Sequence, residues 1–256
     1  MKRIKSGFLS CALGVAGSVA GAGAALADPR LDEKVYSPYV QNHVAELELR
    51  RGQEIGGPLG GERTDVIEAE YGLNDRLSLA LVGNIGRAPN ETAHLNGLGV
   101  EGILYLGQIP RIGVDVGLYL EYMGGLDGED DKGEAKLLLA KTADRFQGLL
   151  NIIVERPIGA PDGEGFADYG YAASATWRTV GALRLGVEAF GDLGSDHAFL
   201  TKHEGAYVGP QLKWEVRPNS SPFEIEIDAG WLAAVGADRS EADSQARLNI
   251  EFERRF

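Results

Sequence analysis

The segment Ile112-Gly-Val-Asp-Val-Gly-Leu-Tyr-Leu-Glu-Tyr122 decides how this chain is read. Ile112, Val114, Val116, Leu118, Leu120 and Tyr122 share one parity, and Gly113, Asp115, Gly117, Tyr119 and Glu121 share the other. Successive side chains of a β-strand point to opposite faces. As a strand, the segment has one apolar face and one small or polar face; as a helix it would mix the two sets. Its length matches the roughly 9–11 residues that a tilted strand needs to cross a bilayer.

The same alternation recurs on either side. Leu47 and Leu49 oppose Glu46, Glu48 and Arg50; Ile67, Ala69 and Tyr71 oppose Glu68 and Glu70; Leu98, Val100 and Leu104 oppose Gly99 and Glu101. Leu137 and Leu139 oppose Glu134 and Lys136, and Leu150, Ile152 and Val154 oppose Asn151 and Glu155. Further along, Tyr169 to Trp177 alternates with Ser174, Thr176 and Arg178, and Leu183 to Ala189 with Arg184 and Glu188. Val208, Leu212 and Trp214 oppose Gln211 and Lys213. Phe223 to Trp231 oppose Glu224, Glu226 and Asp228, and Leu248, Ile250 and Phe252 oppose Arg247, Asn249, Glu251 and Glu253. With Ala45 to Leu49 and Leu77 to Leu81 counted, the pattern predicts about twelve strands.

The connections alternate as well. Tight turns are predicted at 72–76, 107–111, 142–144, 179–181 and 217–220. Longer, Gly-rich and charged loops are predicted near 51–63, 84–95, 124–133, 156–166, 193–204 and 235–244. Short turns on one side and long loops on the other are the arrangement of an up-and-down transmembrane barrel, with both chain ends on the short-turn side. Tyr71, Tyr122, Tyr169, Trp177, Trp214, Phe223 and Trp231 fall on the apolar parity near strand ends, as an interfacial girdle does. A soluble β-sandwich or lipocalin-like barrel also alternates. It turns its apolar face inward, however, and needs no alternation of loop length.

The N-terminus addresses the compartment. Lys2, Arg3 and Lys5 precede an uncharged run from Ser6 to Ala27 that ends Ala25-Leu26-Ala27, the order of parts in a secretory signal peptide cleaved near Ala27. Residues 1–27 are therefore expected to be removed, leaving 28–256 as one barrel domain. A spanning helix is the competing reading of this run, and a lipoprotein leader cleaved before Cys11 is another. The glycine content, the short apolar core and the run's continuation past Cys11 argue against both. Cys11 is the chain's one cysteine, so the mature chain has none to form a disulfide.

The net charge of −13 argues against nucleic acid, whose binding rests on neutralising phosphates. Beyond the leader no apolar run reaches the length of a spanning helix. Insertion in a bilayer must then be by a closed set of strands, since only helices and closed barrels satisfy their backbone in lipid.

With its leader, its strands and its ending Leu248-Asn-Ile-Glu-Phe-Glu-Arg-Arg-Phe256, the chain resembles a Gram-negative outer-membrane β-barrel of the porin or transporter kind. The stretch Glu68-Ala-Glu-Tyr-Gly-Leu-Asn-Asp-Arg-Leu-Ser-Leu79 is similar, over about one hairpin, to transporter barrels of aromatic-degradation gene clusters. The resemblance implies an outer-membrane location, contact with the lipid bilayer, and recognition by the barrel-assembly machinery of a terminal signal in which Phe252 and Phe256 take part.

If the apolar parity faces lipid, the other parity lines a lumen. It carries Glu46, Glu48, Arg50, Glu68, Glu70, Glu101, Asp115, Glu121, Lys136, Arg178, Arg184, Glu188, Lys213, Glu224, Glu226, Asp228, Arg247 and Glu251. Such a face makes either a hydrated, cation-favouring path for small solutes or a structural network of ion pairs that fills the barrel. The leading expectation is passive or facilitated diffusion of small polar or cationic solutes. The alternatives are a plugged, structural or surface-interaction barrel and an outer-membrane hydrolase.

No Ser/His motif of nucleophilic catalysis is recognisable around His43, His94, His197 or His203, so no catalytic residue is assigned. The acidic run Asp127–Glu134 lacks the glycine and glutamate that a calcium EF-loop requires at its sixth and twelfth places. Neither metal nor cofactor is expected.

Overall fold

The computed structural model describes residues 31–159, 166–201, 204–218 and 221–256. The expected leader and its cleavage site lie outside these residues. Twelve long strands hydrogen-bond in antiparallel order into a closed barrel: β1 (Val44–Ile55), β2 (Arg63–Gly72), β3 (Leu77–Arg87), β4 (His94–Ile109), β5 (Val114–Gly125), β6 (Asp131–Ala143), β7 (Phe146–Ile158), β8 (Asp168–Arg178), β9 (Leu183–Ser195), β11 (Gly205–Val216), β12 (Phe223–Gly236) and β13 (Ser244–Arg255). A two-residue strand, β10 (Ala198–Phe199), folds back on the end of β9 in the loop that follows it. Each long strand pairs with its sequence neighbours, and β1 closes the ring on β13 from Val44↔Arg255 to Ile55↔Ser244. Closure leaves no long strand with an unpaired edge, which is the condition for placing strands in hydrocarbon.

The register puts the apolar parity outside. In β5, Asp115, Gly117 and Tyr119 are buried, while Leu120 and Tyr122 are exposed. Val187 and Leu120 are each 54% exposed, and Leu118 and Ile227 lie on the same outer face. A soluble β-core would have hidden these four side chains. Exposed aromatics mark both ends of the outer belt. Tyr71, Trp177, Trp214 and Phe223 stand toward the short-turn end, and Tyr122 and Trp231 toward the loop end.

The boundaries depart from the sequence reading in one consistent way. The strands run further into the long loops than the apolar alternation does. β1 continues to Ile55 rather than stopping near Arg50, β9 continues to Ser195, and β4 starts at His94. Past the belt the outer face no longer needs to be apolar, so the hydrophobic period ends while the hydrogen-bond ladder continues. The contrast between long and short connections is accordingly shallower than expected. At the other end Ile112 and Gly113 belong to the turn rather than to β5. Gly113 takes φ +61°, a left-handed value that a glycine adopts freely, and its N–H donates to the Ile109 carbonyl at 2.9 Å. The loop after β12 contains a 3₁₀ turn, Ala237–Ser240.

One element has no counterpart in the sequence reading. β1 and β13 begin and end on the short-turn side, as expected, where the Phe256 N–H donates to the His43 carbonyl at 3.1 Å. The residues before β1, however, turn back and run up the inside of the barrel, from His43 at the short-turn rim to Leu31 beside Gly52 of β1. We call residues 31–42 the strap.

Candidate functional site

The inward face of the wall has two chemical sectors, and the strap lies between them. β1, β2, β12 and β13 contribute carboxylates and a few cations, as their parity predicted. The other sector is apolar and reaches onto the loop-side half of β12: Leu149, Ile153, Ala172, Phe190, Tyr207, Leu232 and Ala234 form one buried cluster with Val35 of the strap. Ile103, Tyr119 and Leu138 form a second around Tyr36. The sequence reading of an acid-rich lumen face did not include this apolar part. Half of the lumen's mid-section is a small hydrophobic core whose other half is the strap.

The strap is fixed by directional bonds as well as by packing. The Tyr36 N–H donates to Oδ1 of Asn151 at 2.7 Å, and Asn151 Nδ2 donates back to the Tyr36 carbonyl at 2.9 Å. One buried amide on β7 thus satisfies both backbone groups of a segment that has no strand partner of its own. The Tyr39 hydroxyl donates to Asp115 at 2.8 Å, Asn84 Nδ2 donates to Asp32 at 2.7 Å, and Arg247 donates to the Glu33 carbonyl. Two glycines make room: a Cβ on Gly117 would stand 2.8 Å from Cβ of Pro38, and one on Gly52 would stand 2.3 Å from the Leu31 carbonyl oxygen.

Charge is concentrated where the strap crosses the acidic sector. The Lys34 ammonium pairs with Glu48 and lies 3.8 Å from Glu68 and 4.0 Å from Glu251. Glu48 and Glu68, on the paired strands β1 and β2, supply its nearest counter-charges. Arg50 lies 3.3 Å from Glu48 and 3.5 Å from Glu68, and its guanidinium donates to the Tyr36 hydroxyl at 3.3 Å. Lys136 binds Glu33 at 2.6 Å and Glu134 at 3.0 Å. Its ammonium stands 4.6 Å from the ring centre of Tyr36 and 4.7 Å from that of Tyr119.

The residues expected to line a lumen fall as follows. Glu48, Arg50, Glu68, Glu101, Asp115, Lys136, Arg184 and Glu188 point inward and are buried. Glu46, Glu70, Glu121, Lys213, Glu224, Glu226, Asp228, Arg247 and Glu251 point inward and are partly open. Arg178 is exposed at the end of β8. Around Glu101 and Glu121 the Tyr119 hydroxyl is shared, at 2.8 and 2.6 Å, and Lys213 spans Asp228 at 2.9 Å and Glu226 at 3.5 Å. Phe252 and Phe256 lie exposed on the outer side of the chain's end.

Three carboxylate trios, Glu46/Glu48/Glu68, Glu46/Glu251/Glu253 and Glu68/Glu70/Glu101, bring one oxygen from each member within 4.8 Å of the others. Lys34 and Arg50 supply positive charge at these trios from within the chain. Of the histidines, His43 meets the Tyr71 hydroxyl at 3.0 Å on the rim, and His94 and His197 are exposed at the loop side. His203 lies outside the described residues.

Two cavities flank the strap. One, of about 420 Å³, lies on the short-turn side and is lined by Lys34, Glu46, Glu70, Lys213, Glu226, Asp228, Glu251 and Glu253 among others. The other, of about 230 Å³, lies on the loop side and is lined by Glu134, Glu155, Asp168, Tyr171, Asp192 and Glu204 among others. Both reach Glu33 and Phe190, so the strap's Glu33 and the wall's Phe190 form the partition between them.

The sequence reading found the wall carboxylates through their parity. It missed Glu33, Lys34 and Tyr36 of the strap, and it placed Asn151 inward without assigning it a role; these four organise the mid-section. Residues 31–42 carry neither strand alternation nor a turn motif, and nothing local shows that they fold inward.

No protein-family model matches the chain, and no curated protein matches it. Its fold is that of solved outer-membrane barrels. It is similar to the COG4313 outer membrane channel from Pseudomonas putida F1 at a TM-score of 0.56 and 12% identity, over 90% of this chain and 99% of that one. It is also similar to the KdgM porin, solved in complex with disordered oligogalacturonate, at a TM-score of 0.52 and 9% identity, over 82% and 99%. At these identities the likeness is one of fold.

Proposed function

We propose that this protein is an outer-membrane channel through which small polar solutes, cationic ones above all, diffuse past a constriction made by its own N-terminal strap. The observation that carries the reading is the pair of cavities, both lined by carboxylates, that meet at Glu33 and Phe190 from opposite ends of the barrel. Carboxylates in a narrow, low-dielectric passage raise the local concentration of cations and oppose anions. Within this reading the apolar belt meets the lipid bilayer, the leader directs export across the inner membrane, and Phe252 and Phe256 serve the assembly machinery.

Planar-bilayer recording tests it. Folded protein should give discrete conductance steps, and a potassium chloride gradient should give a reversal potential of the sign set by cation selectivity. Folded protein that leaves the bilayer at background conductance defeats the channel reading. That result would favour a second reading, a structural barrel whose work is done by its surface loops, for which the strap's filling of the mid-section speaks. A lipid-hydrolysis assay on the same preparation addresses the third, hydrolytic alternative.

A further inference from the structure

The cage around Lys34 differs from the other charged contacts of the lumen because it holds a cation from the strap beside one from the wall, Arg50, which lies 3.3 Å from Glu48 and 3.5 Å from Glu68. Wall carboxylates Glu48, Glu68 and Glu251 surround a primary ammonium, and the ring of Tyr36 stands 4.6 Å from it. The side chains of Glu48 and Glu68 are almost wholly buried, at 1% and 0% exposure, whereas those of Lys34 and Glu251 keep 18% and 16%. The acids thus form the closed back of the cage, and its mouth opens into the 420 Å³ cavity, which Lys34, Glu46 and Glu251 also line. The same chemistry recurs once, where two carboxylates and two tyrosine rings hold the Lys136 ammonium. Carboxylates joined to an aromatic face form an environment suited to a partly desolvated organic cation, whose charge the ring quadrupole and the acids attract together. Its one covalent tie to the strap is a flexible four-carbon stem.

We propose that the Lys34 cage is a binding site for primary alkylammonium solutes, and that the lysine side chain is its tethered occupant, exchanged for a solute that arrives through the short-turn cavity. Placing that solute in transit rests on the channel reading above. The cage itself does not.

The test uses the full mature protein, purified and folded, with n-butylammonium as probe because it reproduces the lysine stem and head. In Lys34→Ala the place of the ammonium is vacant while Arg50 stays on Glu48 and Glu68, and butylammonium should raise the thermal unfolding midpoint saturably. Sodium at equal ionic strength should not. In the parent protein the same probe should bind about tenfold or more weakly, since it must displace a tethered competitor. Adding Glu251→Gln to Lys34→Ala should weaken probe binding by about tenfold, as loss of one charge-assisted contact predicts. If Lys34→Ala does not fold, Lys34→Gln, which keeps a shorter stem and a donor without the charge, replaces it, with the same direction of response.

A flat response of the vacated variant, or one that sodium reproduces, overturns the site. Saturable binding that Glu251→Gln leaves unaltered also overturns it, because the probe is then elsewhere. Conductance is read separately on the parent protein. A conducting protein without probe binding removes the ammonium site and spares the channel. A non-conducting protein that binds the probe removes the transit role and spares the cage.

Discussion

Asn151 shows how one side chain can anchor a segment that has no secondary structure. Its amide is fully buried and takes both an N–H and a C=O from Tyr36, in place of the strand partner those groups lack. Replacing it with alanine would leave two backbone groups facing a largely apolar wall, and each unmet group costs on the order of 1–3 kcal/mol unless water enters. Asn151→Ala should therefore lower the unfolding free energy by about 2–6 kcal/mol, toward the low end if water reaches the two groups, measured by denaturant titration of the folded protein in detergent. An unaltered midpoint would mean that the strap's packing and its other bonds, such as Tyr39 to Asp115 and Lys34 to Glu48, suffice to hold it. The sequence placed Asn151 on the inward parity but could not say what it binds, because the partner is backbone 115 residues away. Gly117 was legible in the same incomplete way. Its inward position could signify a bend or spare room, and only the position of Pro38 identifies it as room.

At the scale of the strand, β5 carries the sidedness on which every other claim depends. Leu120 and Glu121 are neighbours in sequence and face opposite media. Leu120 is 54% exposed on the outer belt, and Glu121 accepts a hydrogen bond from Tyr119 inside. Leu120→Arg should cost about 2–4 kcal/mol in a lipid-reconstituted unfolding measurement, the penalty of a cation near the middle of a bilayer. Glu121→Gln, at the adjoining residue, keeps an acceptor and should cost less. The reverse order would turn the barrel inside out and remove its membrane assignment. Alternation made these faces readable wherever each residue had a polar neighbour. Where apolar residues run together it placed the outward ones correctly but did not single out the apolar residues between them. In Leu137-Leu138-Leu139 the middle residue points inward and is wholly buried under Tyr36, while Leu137 is exposed. Ile152-Ile153 repeats the situation on β7, with Ile153 in the cluster around Val35. A run of identical chemistry has no period, so the apolar sector of the lumen was hidden.

For the whole molecule, the strap separates what closes the barrel from what closes the lumen. No strand pairs with residues 31–42, and the ring from β1 to β13 is complete without them. Deleting them should therefore leave a folded barrel with an unbroken lumen. The carboxylates released from Lys34 and the apolar sector released from Val35 and Tyr36 would then face water. Stability should fall, because buried apolar area is lost and because buried pairs such as Lys34–Glu48 are broken on one side only. Conductance should rise above the parent's, because the partition at Glu33 and Phe190 loses its strap half. Cation selectivity should persist, because the acids that set it, Glu46, Glu70, Glu226 and Glu251 among them, belong to the wall. The measurement is a paired bilayer recording of parent and deletion protein, with folding of both checked by circular dichroism. Equal conductance from two folded proteins would place the limiting constriction elsewhere than at the strap. A larger conductance without cation preference would assign selectivity to the strap's own Glu33 rather than to the wall.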